Sequence, residues 1–254
     1  MGEDSLIKTR KVIISIDRNI DRVLTVLFLI ILLLGIYFAY DAYHVFTFSS
    51  PNSLDGYKPM NGYTQTLKTL SDDVVAWIDI YDTSIDYPIM QGKDNSEYLN
   101  RNAYGDYSLS GAIFLDSLNA RDFSDDYNVI YGHHMSGGFM FGAIDAFEDA
   151  AYLDEHKRGL LTTIEGEMYD VTLFAFMQTD ANESIVFDVT EEGDRHAFIA
   201  EHASIYRPAE GRIIALSTCK SPLTTERTVL FGVLSDYEEI STGTVSAESR
   251  GTAR

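Results

Sequence analysis

The chain carries a single thiol. Cys219 stands at the end of an apolar run, Arg212-Ile213-Ile214-Ala215-Leu216-Ser217-Thr218, and opens a polar stretch, Lys220-Ser221-Pro222-Leu223-Thr224-Thr225-Glu226. A free cysteine is often a small buried hydrophobe, but one that ends a strand at a polar loop sits where a reactive group is exposed. Only the thiolate attacks, so such a residue needs a base or a neighbouring cation. Two of the six histidines, His133 and His134, end the short apolar run Asn128-Val129-Ile130-Tyr131-Gly132 and so occupy the same kind of strand terminus. Adjacent side chains on extended backbone point to opposite faces, which argues against one metal ion holding both. It also leaves open which of them faces Cys219. His44 adjoins a long apolar segment and His156 lies in a charged stretch, while His196 and His202 share a short helical pattern. Arg227 opens the next strand, eight residues after Cys219. If the two strands pair, its guanidinium returns towards the thiol, where it could stabilise a thiolate and a developing oxyanion. The competing reading is an exposed ion pair with Glu226.

Reference values near about 8.5 for a thiol and about 6.5 for imidazole favour the neutral pair at pH 7. A productive thiolate–imidazolium pair therefore requires help from Arg227 and the site, with Lys220 as a further cation. A bell-shaped rate profile set by the two groups as a coupled pair is expected.

These residues must be held by a framework, and the rest of the sequence outlines one. Residues 23–40 read VLTVLFLIILLLGIYFAY, an uncharged run close to the length that spans a hydrocarbon core. Its exit, Tyr40-Asp41-Ala42-Tyr43-His44, fits a cleavage site poorly, so an uncleaved signal anchor is expected. Lys8, Arg10, Lys11, Arg18 and Arg22 precede it and no Lys or Arg follows until Lys58. The positive-inside rule then puts residues 1–22 in the cytoplasm and the bulk of the chain outside the cell membrane. Residues 41–60 read as a linker. Tyr63, Leu67, Leu70, Val74 and Val75 recur at helical spacing. Strands follow at 75–80, 85–90, 112–116, 128–132, 160–165, 168–179, 212–218 and 228–234, with a tight hairpin at Glu165-Gly166-Glu167. Short helical patterns contain Met140, Ile144, Phe147 and Ala151, and then Phe198, His202, Ile205 and Tyr206. Eight strands with scattered helices point to a mostly β, mostly antiparallel sheet or barrel over residues 61–237. Residues 238–254 are rich in Ser, Thr, Gly and Glu, and an irregular tail is expected there.

Composition excludes several functions. The 254 residues hold 19 Lys+Arg against 39 Asp+Glu, a net charge of −20. Residues 1–22 contain five basic and four acidic residues, so the remainder carries 14 against 35, or −21. A general nucleic-acid binder needs a basic face, so no nucleic-acid partner is expected. One cysteine excludes an intramolecular disulfide framework and a Cys-rich zinc site. There is no calcium-loop motif, and neither a metal nor a cofactor is expected.

Leu216-Ser217-Thr218-Cys219 closing a strand, Tyr131-Gly132-His133 closing an earlier one and Arg227 opening the next resemble the active site of sortases. Asp73-Val74-Val75-Ala76-Trp77-Ile78, Tyr87-Pro88-Ile89-Met90-Gln91-Gly92-Lys93-Asp94-Asn95 and Gly111-Ala112-Ile113-Phe114-Leu115-Asp116 narrow the resemblance to class B. It extends from about Tyr63 to Tyr237. The resemblance implies an eight-stranded β-barrel with N-terminal helices and a helix before the cysteine strand. It also implies a cell-surface cysteine transpeptidase of Gram-positive bacteria, without a metal. Cys219 would attack the carbonyl after the threonine of a C-terminal sorting signal on a secreted protein. His133, the first histidine after the glycine, would be general acid and then base, and Arg227 would hold the oxyanion. An amine of a peptidoglycan cross-bridge, of its lipid-linked precursor or of a pilin subunit would resolve the thioester. Asn95 and Leu99, one helical turn apart if that stretch is helical, resemble substrate-groove positions, and Ser217 and Thr218 flank the thiol. Two alternatives keep the same fold: a thiol peptidase with water as acceptor, and a non-catalytic surface assembly module.

Overall fold

The computed structural model describes residues 3–49, 53–60, 63–219 and 225–237. The expected tail at 238–254, residues 50–52 of the expected linker, and Lys220 with the loop to 224 lie outside the described residues. The chain forms two units, a long helix and, from Ser49 onward, a β domain.

Helix α1 (Glu3–Ser49) contains the apolar run and continues past Tyr40 into the segment read as linker. Its stretch Ile16–Tyr43 is long and apolar enough to cross a membrane, and none of it is buried. Leu, Ile and Phe on every face leave the helix no polar side to turn to water.

In the β domain the strands are β1 (Val74–Ile80), β2 (Asp86–Met90), β3 (Ile113–Leu115), β4 (Tyr127–Tyr131), β5 (Arg158–Thr163), β6 (Met168–Asp180), β7 (Ile205–Tyr206), β8 (Arg212–Cys219) and β9 (Glu226–Asp236). They run in the order β5-β1-β2-β3-β4-β8-β9-β6-β7, and β6 also pairs with β5. Eight strands thus close a barrel, with the two-residue β7 added outside β6. Most neighbours are antiparallel; β2–β3 and β4–β8 are parallel. The hairpin between β5 and β6 turns at Glu165-Gly166-Glu167, with Gly166 at φ 97°.

The apolar content of β6, β8 and β9 follows from burial on both faces. Ile214, Leu216, Leu230 and Leu173 point into the barrel core. Their neighbours Ile213, Ala215, Val229 and Phe231 pack outward with Val186 of α3 (Ser184–Phe187) and Ile199 of α4 (Arg195–His202). Helix α4 precedes the cysteine strand. The helical pattern before β1 resolves differently: only Leu67–Thr69 coil, as one 3-10 turn, after another at Asp55–Tyr57. Leu67 and Leu70 are buried against Trp77 and Phe114, while Ser71 turns the chain so that Val74 and Val75 already belong to β1. Met140 to Ala151 likewise divides into a 3-10 helix, Phe141–Glu148, and α2 (Ala150–Glu155). Ile205 and Tyr206 leave the α4 pattern to form β7.

Candidate active site

Three strand ends meet on one rim of the barrel. In the parallel β4–β8 ladder Tyr131 is opposite Ser217, and the next amide, Gly132 N–H, donates to the Ser217 carbonyl at 3.0 Å. In the antiparallel β8–β9 ladder Thr218 faces Thr228 and Cys219 faces Arg227. The backbone of Cys219 is therefore flanked in register by Arg227, and His133 leaves β4 one residue beyond its last link to β8.

A cavity of about 260 Å³ opens at this rim. His133 and Arg227 line it, and so do Asn95, Leu99, Ser217 and Thr218. The stretch Asn95 to Leu99 is not a regular helix, since only Glu97–Leu99 coil in a 3-10 turn. Asn95 and Leu99 reach the same cavity through that tighter path. The hydroxyls of Ser217 and Thr218 are buried and have no hydrogen-bond partner among the described residues.

The two histidines separate cleanly. His133 Nε2 lies 2.7 Å from the Leu99 carbonyl. A carbonyl only accepts, so Nε2 carries the hydrogen and Nδ1 is the nitrogen left for proton traffic. His134 Nε2 lies 2.7 Å from Asp145 Oδ2 instead, and it does not line the cavity. Gly111 permits the first arrangement. At φ +59°, a Cβ there would fall 2.5 Å from the Tyr98 carbonyl, 2.8 Å from the Leu99 carbonyl and 3.1 Å from the His133 ring. The other described imidazoles are committed locally: His156 stacks on Tyr152, His202 on Phe198, and His196 Nε2 donates to the Gly211 carbonyl.

The rest of the lining is aromatic or small: Phe114, Tyr131, Gly132, Ala181 and Phe187. Read as sequence, Phe114 and Tyr131 are core residues of apolar strands, and Phe187 ends a one-turn helix with no motif around it. Burial, with the charge of Asp116 and a hydrogen bond to it, pushes the Tyr131 phenol well above its ordinary value, against the opposing field of Arg227. Tyr131 therefore stays protonated and donates to Asp116 Oδ2 at 3.1 Å. Beyond Arg227, Asp180 accepts from Thr225 Oγ1 and from the amide and side chain of Asn182. The Thr225 bond foremost, with the Asn182 bonds and the nearby Arg227, holds its carboxyl below the usual range. Among the described residues no three His, Cys, Asp or Glu side chains gather as a metal ion would require.

The domain matches the sortase domain model over residues 78–235. Sortase B of Listeria monocytogenes is 35% identical over 162 residues, covering 60% of this chain; the chain spans 65% of that relative's length. A Streptococcus pyogenes class B sortase described as involved in pilus biogenesis superposes with a TM-score of 0.61 at 36% identity, over 66% of this chain and 96% of that one. Sortase B of Bacillus anthracis gives a TM-score of 0.67 at 27% identity, over 78% and 99%. The sortase homologues matched in this way are cysteine transpeptidases. The chain belongs to the sortase family, and its relatives place it with class B.

Proposed function

We propose that this chain is a membrane-anchored cysteine transpeptidase, with residues 23–40 as anchor, residues 1–22 cytoplasmic and a catalytic domain at 61–237 outside the cell. The observation that carries the reading is the register that sets Cys219 opposite Arg227, with the cavity-lining His133 two residues beyond the end of β4, the strand flanking β8. The basic residues confined to the start of α1 support the orientation.

In this reading Cys219 passes its proton to His133 Nδ1, and its sulfur adds to the carbonyl carbon of the threonine in a sorting signal. Arg227 donates to the oxyanion that forms. Collapse breaks the carbon–nitrogen bond, and His133 passes a proton from Nδ1 to the departing amine, leaving a thioester. An incoming amine then attacks the thioester carbon and gives its proton to His133. Carbon–sulfur cleavage releases an amide and a thiolate, and the His133 imidazolium returns the proton that restores the thiol. Ser217, Thr218, Asn95 and Leu99 bind the peptide, and the buried hydroxyls of Ser217 and Thr218 suit a ligand that supplies the missing partners. The substrate is a secreted protein with a C-terminal sorting signal, and the amine belongs to the peptidoglycan cross-bridge, its lipid-linked precursor or a pilin subunit. The likeness to a sortase involved in pilus biogenesis supports keeping the pilin among these acceptors.

The test is product analysis with a quenched sorting-signal peptide, with and without a free amine. The amine adduct should outweigh the free acid, and Cys219→Ala should form neither. Free acid alone would make the enzyme a thiol peptidase; unaltered cleavage by Cys219→Ala would remove the catalytic reading.

A further inference from the structure

Asp116 follows β3 and is 3% exposed, yet its carboxylate does not touch the cavity directly. Its Oδ2 accepts from Asn95 Nδ2 at 2.7 Å and from the Tyr131 hydroxyl at 3.1 Å. Its Oδ1 accepts from the Leu118 amide at 2.9 Å. The next amide, Ser117 N–H, donates to Asn95 Oδ1 at 2.8 Å. Asn95 and Tyr131, the two side chains joined through Asp116, both line the cavity.

The chemistry of these groups fixes their directions. A carboxylate only accepts, so the Tyr131 proton is drawn into the wall and a phenol lone pair is left to the cavity. The Asn95 amide cannot flip, because its oxygen is tied to Ser117 N–H and its nitrogen to Asp116. Its second N–H is what remains for a ligand. We propose that Asp116 is a positioning residue that presets one donor, at Asn95, and one acceptor, at Tyr131, for the carbonyl and N–H of an extended peptide. This deepens the transpeptidase reading above and rests on it.

Replacing Asp116 by Asn exposes the logic. If its oxygen keeps the Leu118 amide, its new NH2 meets the Asn95 NH2, and the Tyr131 hydroxyl has to turn its proton away to accept from it. Flipping Asn95 only moves the clash to Ser117 N–H. The reciprocal double variant, Asp116→Asn with Asn95→Asp, restores every pairing inside the wall once the Tyr131 hydroxyl has turned to accept, but the cavity then loses the N–H of residue 95 and the acceptor at Tyr131. A purely structural role and a positioning role therefore diverge in the double variant.

The experiment compares wild type, D116N and D116N/N95D on the sorting-signal peptide that wild type turns over. The readouts are KM, kcat, thermal midpoint and the rate of Cys219 alkylation by iodoacetamide. D116N should raise KM about ten- to a hundred-fold with little change in alkylation rate, the range for an unsatisfied buried polar group. The double variant should recover the thermal midpoint while KM stays raised by about ten-fold or more. Recovery of KM together with the midpoint would overturn the proposal, as would an unchanged KM in D116N. If D116N does not fold, the double variant alone decides. Failure of wild type to form a thioester with any peptide would instead sink the transpeptidase reading. Peptide titration of Cys219→Ala with and without D116N would then judge Asp116 by binding alone, with equal affinities counting against it.

Discussion

The His133 imidazole donates Nε2–H to the Leu99 carbonyl at 2.7 Å, whereas its neighbour His134 pairs with Asp145 at the same distance. One hydrogen bond holds a ring at the cavity with Nδ1 available, and the other turns a ring away from it. His133→Ala should lower kcat/KM by about 10²- to 10⁴-fold, the usual range for a general acid–base. His134→Ala should cost no more than about five-fold, because it loses only a partly exposed hydrogen bond to Asp145 away from the cavity. Steady-state turnover of one peptide by the two variants decides between them, and a reversed order would exchange their roles.

Gly111 allows the Leu99 carbonyl and the His133 ring to sit together. Gly111→Ala places a Cβ at positive φ and inside contact distance of two backbone oxygens, so stability should fall by at least about 1–2 kcal/mol. The Leu99 carbonyl must also withdraw from His133, so kcat should fall by about ten-fold or more for a disturbed general acid–base. Urea denaturation and turnover measure the two effects separately. A stable variant with full activity would show that this carbonyl does not orient the ring.

Much of this site was legible in the sequence, for identifiable reasons. Cys219, His133 and Arg227 each stand where an apolar run meets a polar one, and that boundary marks a strand end. The long apolar helix was legible as an uncharged run of Leu, Ile and Phe, and most strands were legible because burial on both faces makes nearly continuous apolar runs. Strand alternation alone left open which of His133 and His134 lines the cavity, since that depends on Leu99 and Asp145 outside the strand; only the family resemblance favoured His133. The supposed helix from Tyr63 to Val75 misled because Leu67 and Leu70 satisfy a helical period while packing from a single 3-10 turn. Phe187 gave no signal because it resembles core, and Asp116 entered only as the end of the segment Gly111 to Asp116, with no role attached to it.

Asp180 accepts from Thr225, two residues before Arg227 on the strand that returns from the cysteine loop. The folded carboxyl is held below its ordinary 3.8, chiefly by that bond. A depressed carboxyl contributes stability that is present above the unfolded value and is lost as pH falls through the folded value. Asp180→Asn should therefore lower the thermal midpoint near neutrality. The gap from wild type should close as the pH drops below the unfolded value. A gap of constant size throughout would mean that the charge is not what matters.

Arg195 clamps the wall that carries Phe187. Its guanidinium donates to the carbonyls of Ile185, Asp188 and Glu191 and lies 4.4 Å from the centre of the Tyr127 ring, while Tyr127 donates to the Val186 carbonyl. Arg195→Met should cost about 1–3 kcal/mol through lost charge-assisted bonds. With the wall loosened, KM should rise several-fold and residues 183–192 should become protease-sensitive. A variant with wild-type proteolysis and KM would show that the loop keeps its shape without the clamp.

The central claim is that Cys219 forms the acyl-enzyme and His133 supplies its leaving-group proton. Intact-protein mass spectrometry after incubation with a panel of threonine-containing sorting-signal peptides tests it most directly. Wild type should gain the mass of the acyl fragment, lose it on addition of a free amine, and yield a peptide map that places the adduct on Cys219. An adduct elsewhere, or one that also forms on Cys219→Ala, would contradict the account.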